Sequence, residues 1–231
     1  ASGFTLRSEA VVEEGLEHVE FGYEMGDDFL SALKEFTDMY VESNIITNDT
    51  LDDLGYEDAS AFIDDYVDES FLALADDVEP SPTILNPADE DAIRLGYLSG
   101  DLHQLAQYVA QNKTVGGGEK DLFEVYGLNV DPLPPYSNGG AVMDAFNLGD
   151  VDIGYLGAPP AIQKHANLDI PVRIIAQANS EGSGIVVHVD SDIHTLADLV
   201  GRTVATPGET SIQHLLLRIA LEREGIPFVK A

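Results

Sequence analysis

From Ile93 onward, short apolar runs alternate with stretches in which apolar residues recur every three or four positions. The first pattern reads as strand and the second as helix. Strands are predicted at 93–98, 128–130, 151–155, 172–178, 185–189 and 203–206, and helices at 102–112, 121–126, 141–148, 196–200 and 210–224. At 151–155, Val151, Ile153 and Tyr155 alternate with Asp152 and Gly154, a half-buried strand. Gly157-Ala-Pro-Pro ends that strand, because proline donates no N–H and fixes its own φ. The next helix is expected to begin at Ala161. Strand–helix alternation of this kind predicts an α/β fold with a largely parallel sheet.

The segment 1–75 follows another pattern. Phe29, Leu30, Leu33, Phe36, Met39 and Tyr40 recur at helical spacing and give 27–43 one apolar face. A weaker amphipathic stretch covers 5–22. Short helical pieces are expected at 59–66 and 68–74, with Phe62, Ile63, Phe71 and Leu72 turned inward, and the aromatic stripe reads as core. No strand is expected before Asp76. Between the two patterns, 76–91 holds three prolines and six acidic residues, the composition of a linker. The organisation read from the chain is therefore a helical segment over 1–75, a linker over 76–91, a first lobe over 92–180 and the start of a second from 181 to 231.

Charge sharpens that division. The chain carries 42 acidic against 11 basic residues, net −31. Up to Asp91 there are 26 acidic and 2 basic residues, net −24; from Ala92 on there are 16 and 9, net −7. Such a surface is unsuited to nucleic acid, whose binding depends on neutralising phosphates, and to anionic membranes. It suits a salt-adapted, solvated exterior. Cysteine is absent, which removes disulfides and thiolate metal sites. No apolar run is long enough to span a membrane, which takes roughly 18 residues or more, so direct insertion is not expected.

Candidate chemistry is sparse. The paired acids Asp52-Asp53 and Asp64-Asp65 lack calcium-loop spacing, and Gly116-Gly-Gly lacks the Gly-Lys-Ser/Thr of a phosphate loop. Ser99, Asp101 and His103 can be drawn as a triad, yet nothing marks a nucleophile elbow. His165, His188 and His194 share no motif. Neither a metal nor a cofactor is expected, and no residue is assigned to catalysis.

A resemblance adds to this reading. Ile93-Arg-Leu-Gly-Tyr-Leu-Ser-Gly-Asp-Leu-His-Gln-Leu-Ala, Phe123-Glu-Val-Tyr-Gly-Leu-Asn-Val, the run from Gly149 to Pro160, Gly184-Ile-Val-Val, Leu196-Ala-Asp-Leu-Val-Gly-Arg-Thr-Val-Ala and Thr206-Pro-Gly-Glu-Thr-Ser follow one another as in the substrate-binding proteins of nitrate/sulfonate/taurine-type ABC importers. Residues 92–228 resemble the amino-terminal portion of that family. Phe21, 32–40, the Asn44-Ile-Ile turn and 61–72 resemble its carboxyl-terminal helical tail. The resemblance implies a type II periplasmic-binding-protein fold with an incomplete second lobe, in a piece of a tandem or permuted protein. It also implies an extracytoplasmic protein that passes a small anionic or zwitterionic solute to an ABC transporter permease. An enzyme on the same fold, of thiamine-pyrimidine or menaquinone-pathway type, and a ligand-sensing ectodomain are the alternatives.

Such a binder holds its solute with helix N-termini, which offer N–H groups and a positive dipole end. On that basis the solute is expected among Ser99, Gly100, Asp101 and His103 in the first loop, Asn138, Gly139 and Gly140 in the second, and Gly157, Ala158 and Pro159 in the third. Thr210, Ser211 and His214 at the start of the last helix are expected to face them. Each group also has the form of an ordinary capped helix.

Overall fold

The computed structural model describes residues 7–75 and 77–229; expectations that touch 5–6, Asp76 or the side chain of His103 lie outside the described residues. In chain order the elements are α1 (Glu9–Leu16), β1 (Val19–Phe21), α2 (Asp27–Glu42), α3 (Asn48–Leu54), α4 (Ala59–Tyr66), α5 (Leu72–Ala75), β2 (Ile93–Gly96), α6 (Leu105–Ala110), α7 (Leu122–Val125), β3 (Val130–Pro132), α8 (Gly139–Leu148), β4 (Ile153–Gly154), α9 (Ala158–Leu168), β5 (Asn179–Glu181) and α10 (Ile212–Arg223).

The strand–helix alternation builds a three-stranded parallel sheet ordered β3-β2-β4. Leu95 pairs with Ile153 and Gly96 with Gly154, so the segments 93–98 and 152–155 are neighbours as expected. Arg94 ties the two strands further: its Nε and Nη2 donate to the two carboxylate oxygens of Asp152 at 2.9 and 2.6 Å. Arg94, as the hydrogen-bonding partner, holds the Asp152 carboxyl below the usual carboxylate range.

The helices that precede the linker run cover this lobe. Leu33, Phe36, Met39, Tyr40, Ile46, Leu51, Phe62, Ile63 and Tyr66 form one core with Ile162 and Ala166 of α9 and Leu215 and Ile219 of α10. Local chemistry shapes each helix. Thr47 Oγ1 accepts from Thr50 N at 3.0 Å to start α3, and Asp58 accepts from Ala61 N at 2.8 Å to start α4. At the junction Tyr66 stacks on His165, centroids 4.3 Å apart and 7° from parallel. Asn167 Nδ2 donates to Ile45 O at 2.7 Å, and Val67 forms a single bridge with Ile174. The run read as linker is fastened down as well, since Asn86 exchanges two 2.8 Å bonds with the backbone of Asn129.

Several expectations need correction. The segment before Asp76 is not wholly helical: Val19–Phe21 pairs antiparallel with Asn179–Glu181 in a separate two-stranded sheet. Backbone pairing requires no apolar side chains, so neither strand was conspicuous in the pattern. Phe71, expected inside, is 57% exposed. α9 begins at Ala158, ahead of the expected Ala161, because prolines in a first turn remove only N–H groups that would go unpaired anyway. Segments 185–189 and 203–206 are apolar enough for strands but form none, and 172–178 contributes the Ile174 bridge and two backbone bonds, Gly22 N to Ala178 O and Gln177 N to Tyr23 O, beside the β1–β5 pair. Alternation makes a segment compatible with a strand; a neighbouring backbone makes it one. Val186 and Val189 consequently stand 92% and 91% exposed.

Candidate functional site

Three of the four expected groups meet at the carboxyl edge of the parallel sheet. The first loop leaves β2 through Tyr97 and Leu98. Ser99 N donates to Tyr136 O at 3.1 Å and Tyr136 N to Tyr97 O at 2.8 Å, so the loops after β2 and β3 run side by side. Gly100 holds φ +69°, a left-handed conformation that glycine adopts without strain. Gln104 fixes the loop from beneath: its Oε1 accepts from Leu98 N at 2.6 Å and its Nε2 donates to Leu98 O at 3.1 Å. Gln104 is 3% exposed, and its own N–H donates to the Asp101 carbonyl at 3.2 Å. Nothing in the apolar pattern marked this glutamine as the residue that shapes the loop. The His103 side chain lies outside the described residues.

The second loop leads into α8. Asn138 Oδ1 accepts from Ala141 N at 3.0 Å and Asn138 Nδ2 donates to Ser137 Oγ at 3.2 Å, a local cap on that helix. First-turn N–H groups of a helix have no intrahelical acceptor, so those of Gly139 and Gly140, which directly follow the second loop, are available to an outside acceptor. Lys164 of α9 pairs with Asp144 of α8, and its Cε lies 3.8 Å from where a Cβ of Gly140 would stand. This lysine, in the second turn of α9, was not among the expected site residues.

The third loop packs against the second. A Cβ on Gly139 would stand 2.8 Å from Cγ of Pro160 and 3.4 Å from Cβ of Leu156, so the close approach of α8 to α9 requires glycine. Pro159 and Pro160 are buried in the first turn of α9. With no N–H on either, this helix start offers an anion fewer donors than α8 does. Gly157 and Ala158 therefore line the edge mainly as backbone surface.

Thr210, Ser211 and His214 have other neighbours. Thr210 O accepts from Tyr40 Oη at 3.2 Å, which ties the start of α10 to α2. Ser211 Oγ donates to Gly208 O at 2.8 Å and accepts from His214 N at 3.2 Å, capping α10. His214 is 8% exposed, with Nδ1 3.1 Å from Thr206 Oγ1 and its ring edge-on to Phe228 at 5.3 Å. These contacts hold the helix start within its own surroundings.

A separate groove of about 590 Å³ runs between α2 and α10, lined by Lys34, Glu35, Asp38, Glu42, Glu222 and Arg223 among others. Its Arg223 is already paired with Glu35 at 2.9 Å, and Lys34 with Asp64 at 2.7 Å. Among the described residues no cluster of three or more His, Asp or Glu could hold a metal, and no helix is long and apolar enough to cross a membrane.

Comparison with known proteins places this geometry in context. The profile of a family described as NMT1/THI5 like matches residues 108–230, more than half of the 231. A protein of Brucella abortus (strain 2308), provisionally named a binding protein, is 32% identical over 139 residues, 60% of this chain and 40% of that protein. An Escherichia coli (strain K12) protein provisionally named for binding aliphatic sulfonates is 27% identical over 146 residues, again 60% and 40%. The taurine-binding periplasmic protein of the same organism is 31% identical over 91 residues, 39% of this chain and 28% of that one. The chain thus spans about two fifths of the length of the first of these relatives. No solved structure matches it.

Proposed function

The chain belongs to the NMT1/THI5-like family, and from that premise we propose that it captures a small anionic or zwitterionic solute for an ABC importer. The names of the sulfonate- and taurine-binding relatives support this reading. It carries an extracytoplasmic location and delivery to a transporter permease with it. The proposed site is the carboxyl edge of the parallel sheet, where open α/β sheets hold ligands.

One observation carries the proposal: the loops after β2, β3 and β4 converge there around the first turn of α8. The N–H groups of Gly139 and Gly140 supply donors and the dipole end of α8 favours negative charge. Asn138 and Ser99 add side-chain donors. Lys164 lies close enough to exchange Asp144 for a bound anion. Asp101 suits the cationic end of a zwitterion. In this reading Gly157, Ala158 and Pro159 form the floor, and Thr210, Ser211 and His214, held beside α2 at the start of α10, are left outside it.

Titration calorimetry in molar KCl against taurine, methanesulfonate and nitrate tests the proposal. Each charge-assisted hydrogen bond is worth about 1.5–3 kcal/mol, so Lys164→Met and Asn138→Ala should each weaken anion binding by roughly one to two factors of ten. Asp101→Asn should weaken taurine and leave methanesulfonate unchanged. Absence of binding or of ligand-dependent stabilisation with every solute rejects the function. Binding that ignores all three substitutions rejects the site.

A further inference from the structure

The sheet register places two tyrosines side by side at this edge. Leu95 pairs with Ile153 and Gly96 with Gly154, and Tyr155 N donates to Gly96 O at 2.9 Å. Continuing the ladder by one step pairs Tyr97 with Tyr155. The glycines before them show which face they occupy. A Cβ on Gly96 would stand 3.4 Å from Val142 Cγ1, and one on Gly154 would stand 2.9 Å from Phe146 and 3.0 Å from Val142. Both glycines therefore face α8. Successive residues of an extended chain point to opposite faces, so both tyrosines project from the face away from α8. Adjacent strands lie about 4.8 Å apart, which puts the two residues next to each other on that face.

That pair belongs to the sheet edge. Ser99 follows Tyr97 by two positions, and Gly157 follows Tyr155 by two. Both tyrosines are half-buried and neither belongs to the chain's hydrophobic clusters. Burial pushes the Tyr155 hydroxyl above its usual range, so this ring sits in a weakly polar setting. The anion donors at the first turn of α8 lie on one side of the sheet edge and the tyrosines on the other. A nitrate ion spans only a few ångströms and cannot touch both. A solute with a charged end and an apolar body can.

We infer that Tyr97 and Tyr155 form the apolar wall of the solute site and select an organic anion with a body of several carbons over an inorganic anion. This rests on reading the three-loop edge as the site. Aromatic rings are suited to the task, since each presents a large apolar face at little entropic cost.

The test uses the full chain in molar KCl and a series of methane-, butane- and hexanesulfonate, with nitrate alongside. Affinity should rise about three- to fourfold per methylene, the gain expected for burying a CH₂ group. Tyr97→Ala and Tyr155→Ala should each cut that slope to below twofold, while the phenylalanine variants keep it. The chain contains no tryptophan, so Tyr97→Trp introduces a single indole reporter. Its emission should shift on adding hexanesulfonate and stay still on adding methanesulfonate. Binding that does not depend on chain length, nitrate binding as tight as hexanesulfonate, or a silent reporter with hexanesulfonate bound overturns the inference and leaves the proposed function standing. Failure of every solute to bind overturns both.

Discussion

Replacing Phe62 by alanine probes the junction between the amino-terminal helices and the lobe that follows. Phe62 is 0% exposed, edge-on to Tyr56 at 5.3 Å and roughly parallel to Tyr66 at 5.5 Å and His165 at 5.6 Å. The surrounding rings are rigid and meet from several directions, so the vacated space cannot readily collapse. Phenylalanine-to-alanine changes in such cores cost about 3–5 kcal/mol. A domain holds only about 5–15 kcal/mol in total, so this is a large fraction. For a chain of this size 1 kcal/mol corresponds to about 2–4 °C, and the melting temperature should fall by roughly 6–20 °C. The control is Phe71→Ala, the same change at a side chain 57% exposed, which should cost under about 1 kcal/mol. Scanning calorimetry in molar KCl gives both values, and hydrogen exchange reports whether the amides of α9 lose protection in the Phe62 variant. A fall of only a few degrees, or α9 amides that exchange as before, would refute the argument that the two segments share one core.

Gln104→Leu should remove both bonds to the Leu98 backbone and leave a half-buried N–H and C=O unpaired, at about 1 kcal/mol each; denaturant unfolding and exchange at Leu98 measure this. The Asp152 carboxyl is held low by Arg94, and the Asp65 carboxyl by the Tyr56 hydroxyl and then Arg173. Because both folded values lie below the unfolded one, their stabilisation is present above about pH 4 and lost as pH falls through the depressed values. Melting temperature should thus hold steady from pH 7 to 5 and drop below pH 4, with a smaller drop in Asp152→Asn. Raising KCl from low to molar concentration should raise the melting temperature by screening the 26 acidic residues before Ala92, and a flat or falling curve would contradict that.

Where hydrophobic pattern and burial coincide, the chain could be read directly. The apolar face of Phe36, Met39 and Tyr40 became core, and the alternation around Ile153 became the strand beside β2. Features made by backbone alone were invisible. Nothing about Val-Glu-Phe and Asn-Ser-Glu reveals that they pair, and a proline pair reads as a stop until it is seen to begin a helix. The loops of the candidate site were legible through their glycines. The glutamine and lysine that shape and charge them were not, because an isolated polar residue in a helix has the same appearance whether it faces solvent or a neighbouring backbone.

The docking of α2–α4 onto α9 also sets a timetable for the ribosome. The bond between Ile45 and Asn167 joins residues 122 positions apart. At about 5–20 residues per second the early helices wait roughly 6–24 s for their counterpart. Phe36, Phe62 and Tyr66 are synthesised long before Ile162 and His165 can cover them. A nascent chain halted before Ala158 would present that aromatic face to solvent, held in solution by its many carboxylates and by any chaperone that binds it. The acidity of the stretch before Ala92 then acts during translation as well as afterwards, keeping apart growing chains that have no core yet.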